Sequence, residues 1–225
     1  MSDLYKLAIF DFDGTLVDSA PGIIDVMRDI IVEYKLHDDI LTHWRDLIGV
    51  PLGRQMEIIF PNHTEDFWLE VADRYRAIYD GKTIEICPLF PDLISMLDSL
   101  KAAGIKITIA SSKRRPLIEV VLDHHNLASY FEVVVGATDI THHKPHPESV
   151  HHTIKLLGMD HQESVVIGDS IYDLEMAKNA GVDAIGVTTG IHSAEILSTA
   201  SPLYIVDSLT EVGRIILNGR GQKTA

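Results

Sequence analysis

Two carboxylates one residue apart, Asp11 and Asp13, close a short apolar run that begins at Leu7 and ends at Phe10. Such a run bounded by polar residues reads as a buried strand. Where the chain is still extended, alternate side chains point the same way, so Asp11 and Asp13 share one side while Phe12 points elsewhere. Gly14 permits a sharp turn immediately after them. Two carboxylates at the end of a buried strand repel each other unless a proton, a substrate or a cation joins them, so this stretch calls for a metal. The competing reading is a strand followed by an Asx-type turn, in which Asp and Gly serve only as turn formers.

Other elements must bring partners to that strand end. Residues 21–80 have an amphipathic helical texture: Ile23, Ile24, Met27, Ile30, Ile31 and Tyr34 recur at helical spacing, as do Phe67, Val71, Tyr75 and Ile78. Residues 48–53 break that pattern, and the block is long enough for four helices. Beyond Gly81 strands and helices alternate. Pro91 can open a helix facing inward through Leu93, Met96, Leu97 and Leu100, with Gly104 ending it. Strands are expected over 105–110, 131–135, 165–167, 184–187 and 203–206. Helices are expected over 116–125, 148–157 (stopped by Gly158), 170–180 (stopped by Gly181) and 208–217, before a polar tail that frays. This alternation predicts an α/β, Rossmann-like parallel sheet covered by helices on both faces. The expected organisation is a core of residues 1–16 and 84–225 with a helical cap, 17–83, inserted after the first strand.

In open parallel sheets ligands bind beyond the carboxyl ends of the strands. The polar residues at those ends are Asp11 and Asp13; Ser111 and Ser112; Gly168, Asp169 and Ser170, with Asp173 one turn on; and Lys144 in a loop. Taken singly, each has a plainer reading. Ser111 is a strand-end hydroxyl, Lys144 a surface lysine, and the Ser170/Asp173 spacing that of a capping box. Together on one sheet edge they form a candidate site.

The run from Asp11 through Gly14, Thr15, Leu16 and Val17 to Asp18 and Ser19 resembles the first motif of the haloacid dehalogenase superfamily in its phosphatase form. Residues 107–111, an apolar strand ending in Ser111, resemble the second motif. Lys144-Pro145-His146-Pro147-Glu148 resembles the third, and Gly168-Asp169-Ser170-Ile171-Tyr172-Asp173 the fourth. The resemblance spans residues 7–206 and implies a Mg²⁺-dependent phosphatase. By that resemblance Asp11 is the nucleophile and Asp13 the general acid and base. Mg²⁺ is held by Asp11, the main-chain carbonyl of Asp13, and Asp169. Lys144 and Ser111 steady the phosphoryl group, with Gly14, Thr15 and Ser112 also against substrate. Asp173 supports the metal or Lys144 from behind. The helical insert resembles a C1-type cap that closes over the substrate. Arg54, just beyond the break at 48–53, is the cap residue expected to touch substrate; the alternative is a solvated helix arginine. Lys113, Arg114 and Arg115 lie near the active edge, where they attract an anion or cap neighbouring elements.

Within that superfamily Asp13 argues against dehalogenation, which needs no proton donor to an alkoxide. The absence of lysine in residues 50–54 argues against phosphonatase chemistry, and Ile23, where the β-phosphoglucomutase branch has histidine, argues against a mutase. The nearest likeness is to phosphoglycolate phosphatases, including Cys87-Pro88-Leu89-Phe90-Pro91 and Tyr130-Phe131. Pyrophosphatase, nucleotidase and sugar-phosphate phosphatase are the alternatives within the family. A non-catalytic metabolite-binding module is the alternative outside it.

Composition bounds the partners. A formal net charge of −14 over 225 residues, with no Lys/Arg-rich run, lacks the footprint of a nucleic-acid binder and would repel an anionic membrane. The expected partner is a small phosphorylated metabolite. Cys87 is the only cysteine, so no intramolecular disulfide forms. No signal-peptide or membrane-spanning pattern is legible, and a cytoplasmic location is expected. Five of the twelve histidines (His142, His143, His146, His151 and His152) cluster between Thr141 and Thr153. They read either as a transition-metal or pH-sensing patch or as a polar loop and helix start.

Overall fold

The computed structural model describes residues 4–220. After β1 (Leu7–Phe10) the chain leaves the sheet for α1 (Ala20–Glu33), α2 (Ile40–Arg45), α3 (Leu52–Ile59), α4 (Glu65–Gly81) and the single turn α5 (Thr83–Ile86). It then returns through α6 (Leu93–Ala102), β2 (Lys106–Ala110), α7 (Arg115–His124), β3 (Val133–Val135), α8 (Glu148–Leu157), β4 (Ser164–Gly168) and α9 (Ile171–Ala180). The last elements are β5 (Asp183–Val187), α10 (Ala194–Thr199), β6 (Tyr204–Val206) and α11 (Leu209–Asn218).

The six strands form one parallel sheet in the order β3-β2-β1-β4-β5-β6. The chain winds outward from β1 in one direction, then crosses back to start β4 on its other side. Asp11 and Asp169 therefore sit at the ends of the two strands that flank the point where the winding reverses, which is where such sheets open a crevice. Both faces of β1 are buried, and alternate residues serve different layers. Ala8 and Phe10 join a cluster with α1, α6 and α11, while Leu7 and Ile9 pack with Val150, Ile154, Leu174 and Leu197 of α8, α9 and α10. Fully burying such a side chain contributes about 1.5–3 kcal/mol relative to leaving it exposed. That explains why so short a strand is wholly apolar.

The helices of the insert have their own anchor in Trp44, which is fully buried beside the rings of Phe60 and Tyr75. Its indole N–H donates to Gln55 Oε1 at 2.7 Å, so the buried polar tip is satisfied. The insert contains five helical pieces where the sequence suggests four, the fifth being the short α5 that runs across residues 83 and 84. Residues 46–51 separate α2 from α3 as the break predicts. α10 is absent from the sequence reading; six residues capped by the Ser193 hydroxyl are too few to show a helical period. The expected tail lies largely beyond residue 220, outside the described residues. Among the described residues, no helix is long and apolar enough to cross a membrane.

Candidate active site

The carboxyl end of the sheet opens onto a cavity of about 360 Å³, lined from below by Asp11, Asp13, Ser111 and Asp169 and from above by residues of α1, α3 and α4. Asp11 is buried directly beyond β1, its N–H still paired to Ile167 O of β4 at 2.8 Å. The ammonium of Lys144 reaches Asp11 Oδ1 at 2.5 Å and Asp173 Oδ1 at 2.5 Å, with all three side chains buried. Asp173 Oδ2 accepts from both the N–H and the hydroxyl of Ser170, at 3.2 and 2.6 Å. Asp173 thus makes its capping contacts through one carboxylate oxygen and its contact with Lys144 through the other.

Asp169 is held from two sides. Thr15 donates its hydroxyl to Oδ1 at 3.2 Å, and the Ile191 N–H donates to Oδ2 at 2.8 Å. Gly14 turns the chain at φ +77°, and its carbonyl accepts from the Thr189 hydroxyl at 2.8 Å. Asp13 faces the cleft with Oδ1 3.0 Å from the ammonium of Lys113. Ser111 is buried at the end of β2, where Oγ accepts the Lys113 N–H at 3.2 Å and keeps its own proton free to donate. Ser112 donates to the carbonyl of Gly49, in the α2–α3 connection, at 2.7 Å. Arg114, next but one, grips Asp80 of α4 through both carboxylate oxygens at 2.6 and 2.5 Å. The loop after β2 is therefore tied to the helical insert at Gly49, Tyr79 and Asp80 by three successive residues.

Asp11, Asp169 and Asp173 each offer an oxygen within 4.8 Å of the others, and Lys144 is paired with two of them. Burial pushes the Asp11 carboxyl up to about 7: Lys144 pulls it back, and the charges of Asp173 and Asp13 push it further. Burial also drives Asp169 well above the usual carboxylate range, reinforced by Asp11 and Asp173. Buried negative charge in this excess, presented wholly on oxygen, fits a hard divalent cation.

Arg54 does not join the site. It lies on the exposed side of α3 and pairs with Glu57 one turn on, whereas Leu52 and Gln55 turn toward the cavity. Helical phase places Arg54 off the cavity lining, roughly 200° around the axis from Leu52. Of the clustered histidines, His143 lines the cavity. His142, His146 and Glu148 offer ligand atoms within 4.8 Å of one another. Glu148 also accepts the backbone N–H groups of Thr141 and His142 at 2.9 and 2.8 Å, closing the loop from which Lys144 projects. The peptide bond between Lys144 and Pro145 is cis.

The sequence reading missed Tyr79, Cys87 and the turn at 189–192, and for Lys113 it left open a choice between attracting an anion and capping a neighbouring element. The turn's signal was present in Thr188-Thr189-Gly190 at the end of β5, another polar strand terminus on the active edge.

The family described as haloacid dehalogenase-like hydrolase matches residues 8–187. The chain is 37% identical over 209 residues to the Probable phosphatase IndB of Dickeya dadantii, covering 92% of this chain and 91% of that protein. It is 30% identical to a phosphoglycolate phosphatase of Salmonella typhi (90% and 89% covered) and 30% identical to the pyrophosphatase PpaX of Bacillus velezensis (94% and 97% covered). Among solved structures, that of a predicted phosphatase from Clostridium acetobutylicum superposes with a TM-score of 0.85 at 29% identity, covering 96% of this chain and 99% of that one.

Proposed function

The chain belongs to the haloacid dehalogenase-like hydrolase family and is a phosphatase, and we propose that it hydrolyses a small phosphomonoester of the phosphoglycolate kind, with Mg²⁺, through a phosphorylated Asp11. The observation that carries this reading is the convergence of Asp11, Asp13, Ser111, Lys144 and Asp169 on one edge of the sheet. Residues 17–83 act in it as the cap over a core of residues 1–16 and 84–225.

Asp11 and Asp169, with the main-chain carbonyl of Asp13, would hold the Mg²⁺. When bound, the ion supplies positive charge that offsets repulsion between carboxylates and phosphate and orients the phosphoryl group. A carboxylate oxygen of Asp11 attacks phosphorus, and the bond from phosphorus to the bridging oxygen breaks. Its electron pair stays on the leaving oxygen, which takes a proton from Asp13. In the second half, water attacks the same phosphorus, gives its proton to Asp13, and the Asp11–phosphorus bond breaks to release phosphate. Lys144 and the Ser111 hydroxyl neutralise and orient the phosphoryl oxygens in both halves. Asp173 keeps Lys144 aimed at Asp11. The cap excludes bulk water while the leaving group departs.

A pyrophosphate substrate is the second reading, favoured by the likeness to a protein named as a pyrophosphatase. Phosphate release from phosphoglycolate, pyrophosphate, sugar phosphates and nucleoside monophosphates, with and without Mg²⁺ and with Asp11→Asn as blank, tests both. Mg²⁺-dependent turnover dominated by phosphoglycolate is expected; turnover that persists in Asp11→Asn would sink the proposal.

A further inference from the structure

Lys113 stands in the cleft without a part in the two-step transfer. Its side chain is only 5% exposed, a costly place for an ammonium unless its partners are good. The ammonium donates to Asp13 Oδ1 at 3.0 Å, contacts the Tyr79 hydroxyl, and lies 3.4 Å from Cys87 Sγ. It also sits over the rings of Phe12 and Tyr79, 5.4 and 4.5 Å from their centroids. Burial pushes the Tyr79 hydroxyl and the Cys87 thiol up, and the charge of Asp13 adds to both shifts, so the two stay neutral. Burial disfavours the ammonium itself, but the charge of Asp13 opposes that and Lys113 stays charged. Its one carboxylate partner among the described residues is thus the group placed to protonate the leaving oxygen.

We infer that Lys113 is an anion subsite for the leaving group, selecting phosphate esters or anhydrides that carry a second negative charge next to the bridging oxygen. The inference rests on the proposed role of Asp13. A proton donor stands within about 2.6–3.2 Å of the atom it protonates, and the Lys113 ammonium is 3.0 Å from that donor. A carboxylate one carbon beyond the bridging oxygen, or the second phosphoryl group of a diphosphate, therefore falls within its reach. A charge-assisted bond to such an anion readily replaces the weak contact to the Cys87 thiol.

The rest of the cleft supports the same class. Lys144 pairs with Asp11 and Asp173, Arg114 with Asp80 and Arg76 with Asp73, whereas Lys113 pairs with Asp13, the carboxylate placed next to the leaving-group position. The roof above it is apolar at Ile23, Met27 and Ile48. The one amide side chain there, Gln55, accepts from Trp44 and donates to the Val50 carbonyl at 2.7 Å each, so half of its hydrogen-bonding capacity is already taken. A compact anionic leaving group suits this wall better than a polyol.

Phosphoglycolate and 2-hydroxyethyl phosphate test this directly, since they differ only by carboxylate against CH₂OH. Their kcat/KM ratio is measured for the Mg²⁺-loaded wild type, Lys113→Gln and Lys113→Arg, each checked for folding by thermal melting. Wild type is expected to prefer phosphoglycolate, and Lys113→Gln to cut that ratio by about 10- to 100-fold, the worth of one hydrogen bond to a charged group. Lys113→Arg should keep most of it. Losses that leave the ratio unchanged would reduce Lys113 to a support for Asp13 and overturn the inference. A wild-type ratio at or below one overturns it too, whether or not the glutamine variant folds. Hydrolysis of both esters by Asp11→Asn would instead remove the proposed function, a result separate from the ratio.

Discussion

The backbone of Gly190 passes so close to Asp169 that a Cβ at Gly190 would stand 1.9 Å from Asp169 Oδ2. This approach lets the next N–H, that of Ile191, donate to the same oxygen at 2.8 Å. The turn after β5 thus aims a carboxylate that belongs to β4.

Gly190→Ala should therefore act on Asp169 rather than on the fold. Either the turn or the carboxylate must move, and misplacement of about 1 Å at a site can cost about 100-fold in rate. The expected outcome is a weakened apparent Mg²⁺ affinity and a loss of turnover of that order, with circular dichroism unchanged. Mg²⁺ titration of activity measures it. An alanine variant with wild-type Mg²⁺ dependence would show that Asp169 does not need this support.

The raised carboxyls would make binding of the proposed Mg²⁺ pH-dependent. Asp11 is pushed to about 7 and Asp169 well above the usual range, so the metal-free site holds protons that a cation must displace. Because these folded-state values are raised, their stabilising contribution is full below the unfolded carboxyl pKa, about 4, and is lost as pH rises through about 7. Mg²⁺ relieves that loss. Apparent Mg²⁺ affinity should strengthen from pH 5.5 to 8, and the Mg²⁺-induced rise in Tm should grow with it. A pH-independent Tm shift would contradict the reading of this cluster as the cation site.

Asp13→Asn separates metal binding from proton transfer. The proposed ligand at this position is the main-chain carbonyl, so Mg²⁺ affinity should remain within a few-fold. Turnover of an alkyl phosphate should fall by about 100- to 10,000-fold, the usual worth of general acid–base catalysis. Unchanged turnover would remove Asp13 from that role.

Much of this arrangement is legible in the chain because buried strands leave few choices. A run such as the one ending at Phe10 must be apolar on both faces, so the carboxylates that interrupt it announce the active edge. Asp11, Asp13, Ser111, Lys144 and Asp169 could be named by that logic, together with the family resemblance. Arg54 could not be settled, because the phase of α3 depends on where it starts, and the start at Leu52 turns Arg54 to solvent. Lys113 was ambiguous for a similar reason. Three consecutive basic residues look alike in sequence, yet Lys113 turns inward to Asp13 while Arg114 and Arg115 pair at the surface with Asp80 and Glu119. The contact between Gly190 and Asp169 is invisible in sequence because it is a demand for empty space. Tyr79 and Cys87 read as ordinary core residues until the insert folds back and sets them against Lys113.

Phosphorus that passes through Asp11 can be caught there. Acid quenching during steady-state hydrolysis of phosphoglycolate, followed by peptide mass spectrometry, should find a phosphoryl group on Asp11. Its occupancy should vanish in Asp11→Asn. A full turnover rate with no phosphoryl adduct on Asp11 at any quench time, or an adduct on another residue, would contradict the account.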